Sequence, residues 1–189
     1  MKRRSNPFRE TGRPGTVTFP VLVIACSLFF FFAGCGKDKD RMTFPERGFS
    51  IAIPEEWDVQ KNFMSTAMSA SLPLERADDT FRESLNVVIE EDPGTGELVE
   101  YTRMNLDSLQ QVIPELEVVK TGKLSIDGTR FNWIEYRFSR EGLNIHAVTF
   151  LSLHDGRGFS INGTADETDF SDRRDIFFQT ARSFRFEER

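Results

Sequence analysis

Apolar positions from residue 43 onward fall into an ordered series of elements. Residues 49–53 alternate apolar and small side chains and stop at Pro54, which predicts a strand. Residues 63–72, rich in Ser, Ala and Met, predict a weaker one. Leu85, Val87 and Ile89 share one strand face, with Val88 on the other, and Asp92-Pro93-Gly94 then marks a turn. Val99, Leu106, Leu109, Ile113 and Leu116 recur at spacings near 3.6, with Thr102 filling the gap, so they predict a helix with one apolar stripe. Pro114 ends it near residue 113. Asp127-Gly128 separates strands at 118–126 and 131–138 as a hairpin turn, and Asp155-Gly156 does the same between 143–153 and 158–164. Phe170, Phe177, Phe178 and Ala181 mark a closing helix, with Asp166, Glu167 and Asp169 near its positive end. Phe184 and Phe186 give a short last strand.

Several of these strands carry apolar groups on both sides. Phe131 and Trp133 oppose Ile134, Tyr136 and Phe138. Leu143, Ile145 and Ala147 oppose Val148 and Phe150. A sheet open to water on one face would alternate cleanly. The expected architecture is α+β, an antiparallel sheet flanked by helices on both faces as an α/β/α sandwich.

The first residues follow a different pattern. A basic start with Lys2, Arg3, Arg4, Arg9 and Arg13 is followed by an uncharged run over 17–34 that includes Phe29, Phe30, Phe31 and Phe32. Basic start, apolar stretch and small residues before a cut are the features of a secretory signal. Pro20 within the run and Ala33-Gly34-Cys35 at its end favour a cleaved signal over a membrane-spanning helix. Ala33-Gly34-Cys35 resembles the lipobox of bacterial lipoproteins, with Phe32 where that family prefers Leu. The resemblance implies cleavage before Cys35 and a diacylglyceryl group on its thiol. Val23-Ile24-Ala25-Cys26 fits the same pattern, but cutting there would leave an apolar octapeptide on the new N-terminus. The division expected is a signal at 1–34, a lipidated tether at 35–42 and a domain at 43–189. Gly36 stands where an Asp would retain an enterobacterial lipoprotein on the inner membrane. Its presence points to the periplasmic face of the outer membrane, if the organism has one.

Charge narrows the partners. The chain carries a formal net charge of -6, and removal of the basic signal would leave the domain more acidic still. Nucleic-acid binding runs on Lys and Arg neutralising phosphates, so it is not expected. With Cys26 removed and Cys35 acylated, the domain would keep no thiol for a disulfide or a zinc site.

Candidate chemistry is sparse. His146 and His154 share one strand and one face, but at about 3.3 Å per residue they stand roughly 26 Å apart and cannot ligate one metal together. Each reads as a single strand residue. No Gly-x-Ser-x-Gly elbow accompanies them. Gly94-Thr95-Gly96 lacks the rest of a phosphate loop. Asp78 and Asp79, with Glu75 and Glu83, and the group Asp166, Glu167, Asp169 and Asp172, lack the spacing of a calcium loop. They read as a solvated loop and as helix-start charges. Asn162-Gly163-Thr164 is formally a glycosylation sequon, here inside a strand. No catalytic, cofactor-binding or metal-ligating residue is expected.

Residues 44–57, with Gly48-Phe49-Ser50-Ile51, an apolar strand, Pro54 and Trp57, resemble the opening of PsbP-like domains, in the superfamily that includes the Mog1 and DcrB-like proteins. A Leu-rich helix, the hairpin over 122–138, a third long strand, a last helix and Ser183-Phe184 agree in order. The resemblance implies an antiparallel sheet flanked by helices and by itself points to no particular activity. It leaves Trp57 a structural job, as an apolar lid by the Pro54 corner. The expected function is a lipid-anchored, non-catalytic binding or assembly module of the cell envelope. It would be held to the membrane by Cys35 and face an envelope protein partner. Two alternatives are a carrier of a small apolar ligand, suggested by the 19 Phe residues, and a membrane-proximal hydrolase.

Overall fold

Strands β1 (Arg41–Phe44) and β2 (Phe49–Ala52) open the fold, joined by a short 3-10 helix at Pro45–Arg47. Then come β3 (Asp58–Lys61), β4 (Met68–Ser71), β5 (Ser84–Glu90), α1 (Leu98–Val112), β6 (Glu117–Ile126), β7 (Thr129–Arg140), β8 (Leu143–His154), β9 (Arg157–Asp166), α2 (Phe170–Ser183) and β10 (Arg185–Phe186). This computed structural model describes residues 41–74, 81–113 and 115–188. The signal, Cys35, most of the tether, Glu75, Asp78, Asp79 and Pro114 lie outside them. Two sheets form, a small one ordered β1-β2-β10 and a seven-stranded one ordered β3-β4-β5-β9-β8-β7-β6. Every described pairing is antiparallel.

Three tight hairpins build half of the large sheet. Asp127 and Gly128, Glu141 and Gly142, and Asp155 and Gly156 all hold positive φ. That is the two-residue turn whose twist matches the flanking strands. The Glu141-Gly142 turn was not expected, because Glu is no turn former. It is set by the pairing of Arg140 with Leu143 behind it.

The two helices cover opposite faces, as the two-sided strands require. On the α2 side, Phe131 and Trp133 of β7, Val148 and Phe150 of β8, and Phe159 and Ile161 of β9 join the main core. On the α1 side, Ile134 and Tyr136 of β7 and Ala147 and Leu151 of β8 form a smaller cluster with Tyr101. Both helices key into β9, the middle strand. A Cβ on Gly158 would stand 2.4 Å from the Tyr101 hydroxyl, and one on Gly163 would stand 2.6 Å from the Phe177 ring. Only glycine lets an aromatic ring lie this close to the strand backbone.

The small sheet closes the α2 side with stacked rings. Phe44 stacks on Phe49 at 4.6 Å, and Phe49 on Phe184 at 5.2 Å. Trp57 is buried and meets Phe177 edge-on at 6.2 Å, with its backbone N–H bonded to Pro54. It is a core residue beside the Pro54 corner, as expected. Phe44, Phe49, Phe131, Phe150, Phe159, Phe177, Phe178 and Phe184 are taken up in this core.

Some sequence expectations change. Val99 is 71% exposed. The helix buries Tyr101, with Leu98, Leu106 and Leu109 partly covered, because it lies over β7 and β8 and leaves β6 bare. Strand 49–53 belongs to the small sheet and not to the large one. Arg41 and Met42, expected in the tether, pair with Ala52 and Ile51. β1 and β3 left no clear pattern in the sequence, because each is a four-residue edge strand and Phe44 is the one side chain of the two that is fully buried.

Candidate functional site

The described residues present three surfaces that could carry function, and His146 lies on the first of them. His146 is not an isolated strand residue. It is 5% exposed, on the α2 side of β8. Its Nε2 lies 3.2 Å from Glu135 Oε1, its Nδ1 lies 3.4 Å from Glu167 Oε2, and its ring stacks on Phe170 at 3.6 Å. Each carboxylate has its own guanidinium. Arg174 donates to Glu135 Oε2 at 2.9 Å, and Arg137 stands 3.1 Å from Glu167. Burial therefore prevails. It holds the imidazole below its ordinary pKa, against the pull of Glu167 and Glu135, and Arg137 adds to the lowering. The network brings β7, β8 and the start of α2 together. Its partners are two carboxylates and a phenyl ring.

Glu167 thus does more than sit at a helix start. Asp166 and Asp172 do fit that reading. Asp166 accepts the Thr168 backbone N–H at 2.9 Å, and Asp172 lies in the first turn of α2. His154, at the far end of β8, stacks on Phe186 at 3.9 Å and stands 3.4 Å from Asp155. The structure does not bring the two histidines into one site. Among the described residues, no group of three His, Cys, Asp or Glu side chains is placed to hold a metal ion. Gly94 turns at positive φ and its N–H bonds to Asp92, so the Gly94-Thr95-Gly96 run is a turn.

The second surface is a polar ladder on the α1 side, over β5, β9 and β8. Thr149 donates to Asn162 Oδ1 at 2.8 Å, and the Asn162 amide donates to Asn86 Oδ1 at 2.9 Å. Tyr136 OH stands 3.4 Å from Thr149, and Ser84 and Thr164 share a bond of 2.8 Å. Burial raises the Tyr136 pKa, so its hydroxyl stays protonated. Asn162 is engaged on both ends of its amide, which answers the sequon with a structural role. The sequence signal was present in Ser84, Asn86, Ser160, Asn162 and Thr164, each alternating with the apolar positions of the opposite face. The ladder satisfies itself and leaves few groups for a ligand.

The third surface is open. Because α1 leaves β6 bare, a groove runs between them, in two adjoining hollows of about 400 and 380 Å³ that share Val99, Lys123 and Asn132. Val99, Val112, Val118 and Val119 are exposed along α1 and β6. Of these, Val99 lines both hollows, and an open apolar hollow of this kind is a candidate contact surface. Sequence reasoning missed this groove because Val99 fits the helical stripe equally well as a core residue.

No protein-family model matches the chain, and no curated protein matches it. Solved structures do. Cyanobacterial PsbP from Synechocystis superposes with a TM-score of 0.60 at 17% identity, over 81% of this chain and 95% of that one. LpqN of Mycobacterium tuberculosis, described as involved in cell envelope biogenesis, gives 0.59 at 10% identity, over 82% and 88%. The Ran-binding protein Mog1p of Saccharomyces cerevisiae gives 0.56 at 9% identity, over 77% and 94%. The fold is the Mog1/PsbP-like α+β fold expected from the opening motif.

Proposed function

We propose, with the Mog1/PsbP-like fold as premise, that this chain is a lipid-anchored, non-catalytic binding or assembly module of the bacterial cell envelope. The observation that carries this reading is the exposed Val99 side chain in an open groove between α1 and β6 that nothing in the described structure fills. Two proteins of the same fold support it by what they are named for, one for envelope biogenesis and one for binding a protein. The anchor is the acylated thiol of Cys35 after removal of residues 1–34. The location is the periplasmic face of the outer membrane where one exists.

Two experiments test it. Intact mass of the membrane-extracted protein should match a chain that begins at acylated Cys35, and Cys35→Ser should abolish the acyl mass. A Cys35→Ser chain that is still acylated would move the anchor to Cys26. A photocrosslinking residue at Val99 or Val119 should yield a discrete protein adduct in the native envelope, while one at Gln179, exposed on α2, should not. Absence of adducts from both valines refutes the binding face. A carrier of small apolar ligands is the second reading, favoured by the volume of the hollows. It ranks lower because they open along their length.

A further inference from the structure

β6 is an edge of the seven-stranded sheet, so one row of its backbone N–H and C=O groups has no strand beside it among the described residues. The bulge between Val118 and Lys120 blunts its first half, but from Thr121 to Ile126 its pairing with β7 is regular. The groove toward α1 lies along this regular half. Its polar floor is already closed, since Asn132 donates to Thr102 Oγ1 at 2.9 Å and Thr102 donates to the Leu98 carbonyl at 2.6 Å. What remains without a partner is the Val99 side chain, the free backbone edge, and a set of cations. Lys120, Lys123 and Arg130 form no ion pair with a described residue, in a chain whose net charge is -6. Arg103, by contrast, is held by Glu100 and Asp107.

An edge strand with a helix alongside is a geometry that accepts an extended chain. Backbone bonds supply affinity, and the groove takes alternate side chains. The loose cations specify the charge of that chain. A second copy of this protein fits poorly. Antiparallel self-pairing centred on Lys123 would set it directly against Lys123 of the other copy, and like charges so placed are destabilising.

We propose that the α1–β6 groove binds an extended, acidic segment of a partner protein, which adds to β6 as a further strand. This rests on reading the α1–β6 side as the binding face, and it names the partner's form. Residues of the added strand beside Thr121 drop apolar side chains into the hollow near Val99 and Leu106. Its alternate residues turn their carboxylates to the opposite face, toward Lys120.

The test uses full-length protein in phosphatidylcholine vesicles and a fluorescein-labelled octapeptide of alternating Val and Glu, followed by anisotropy. Saturable binding is expected. It should weaken at least tenfold for the same peptide methylated on alternate backbone nitrogens, for the Val-Lys peptide, and for the Lys120→Glu/Lys123→Glu protein, whose thermal melt should be unchanged. No saturable binding, or binding indifferent to backbone methylation, overturns strand addition. So does saturable binding of laurate alone, which would give the hollow to an acyl chain, or a Lys123→Cys chain that crosslinks to itself, which would give the edge to a second copy. The two proposals fail separately. Adducts at Val99 and Val119 without peptide binding keep the face and sink the strand. No adducts sink the face itself.

Discussion

On the α2 side, strands β7, β8 and β9 present Phe131, Trp133, Val148, Phe150, Phe159 and Ile161, and rings from the small sheet and α2 close over them. On the α1 side, the same strands present Asn132, Thr149, Ser160 and Asn162 beside Ile134 and Tyr136, and one helix covers only part of them. The first face is an interior. Each ring is wedged by another, and buried charge enters as the paired network around His146 and as Arg157, which lies over Phe159 and donates to the Arg47 carbonyl. The second face is a surface in which a few apolar anchors hold α1, polar side chains satisfy one another, and an edge is left open. Stability resides mainly on one side of the sheet, which leaves the other free to carry a partner.

The largest blow to that contrast comes from the wedge of rings. Phe177→Ala and Trp57→Ala should each cost about 3–5 kcal/mol in urea unfolding. The double variant should cost less than the sum, because the two rings touch. Full additivity would mean that they support separate parts of the core.

Next come the two glycines. Gly163→Val and Gly158→Val should each destabilise by about 1–3 kcal/mol through overpacking. Their consequences should differ. Gly163→Val should lower the stability of the whole domain, while Gly158→Val should raise amide exchange in α1 more than in α2. Equal exchange in both helices would dissolve the distinction between interior and surface.

The charged network sharpens it on the α2 side. Folding holds His146 below its ordinary pKa near 6.5, so the unfolded chain takes up the proton first as the medium acidifies. Its contribution to stability is complete above about pH 6.5 and is lost as pH falls from there toward the folded value. Glu135 and Arg137 of β7, Glu167, and Arg174 of α2 face the ring and set the width of that window. The melting temperature should fall between pH 7 and pH 5 more steeply in the parent chain than in His146→Gln. Parallel profiles would show that the imidazole does not govern the slope.

Smaller effects belong to the α1 side. Asn162→Ala leaves Thr149 and Asn86 short of a partner and should cost about 1–3 kcal/mol by denaturant melt. Val99→Ser should change stability by no more than about 0.5 kcal/mol, as for other surface sites. A loss of several kcal/mol at Val99 would mean that the groove is part of the core.

Much of the α2 side was legible in the sequence because its strands are marked twice, by alternation and by turn dipeptides. Asp127-Gly128 and Asp155-Gly156 located two hairpins, and the opening motif with Trp57 pointed to the fold. The His146 network was not legible. Glu135, His146 and Glu167 are distant in sequence, and only the β7–β8 register with the start of α2 gathers them. The groove was hidden for a different reason. Periodicity gives the faces of a helix but not how far it shifts across a sheet, and the fit of Tyr101 over Gly158 fixes that position. β1 and β3, four residues each, are too short to leave a pattern.

The order of the strands has a consequence for how the chain acquires its structure. From β6 to β9 each strand pairs with the one just made, so this meander closes short loops as it grows. β5 pairs with β4 early but finds its other neighbour only in β9, and β2 must wait for β10. A chain that emerges N-terminus first therefore makes β1 to β5 long before it makes the strand and the helix that complete them. Until α2 arrives, Phe49, Ile51, Met68 and Leu85 have no cover. The first strands therefore wait on the C-terminal third, which decides when the fold is complete.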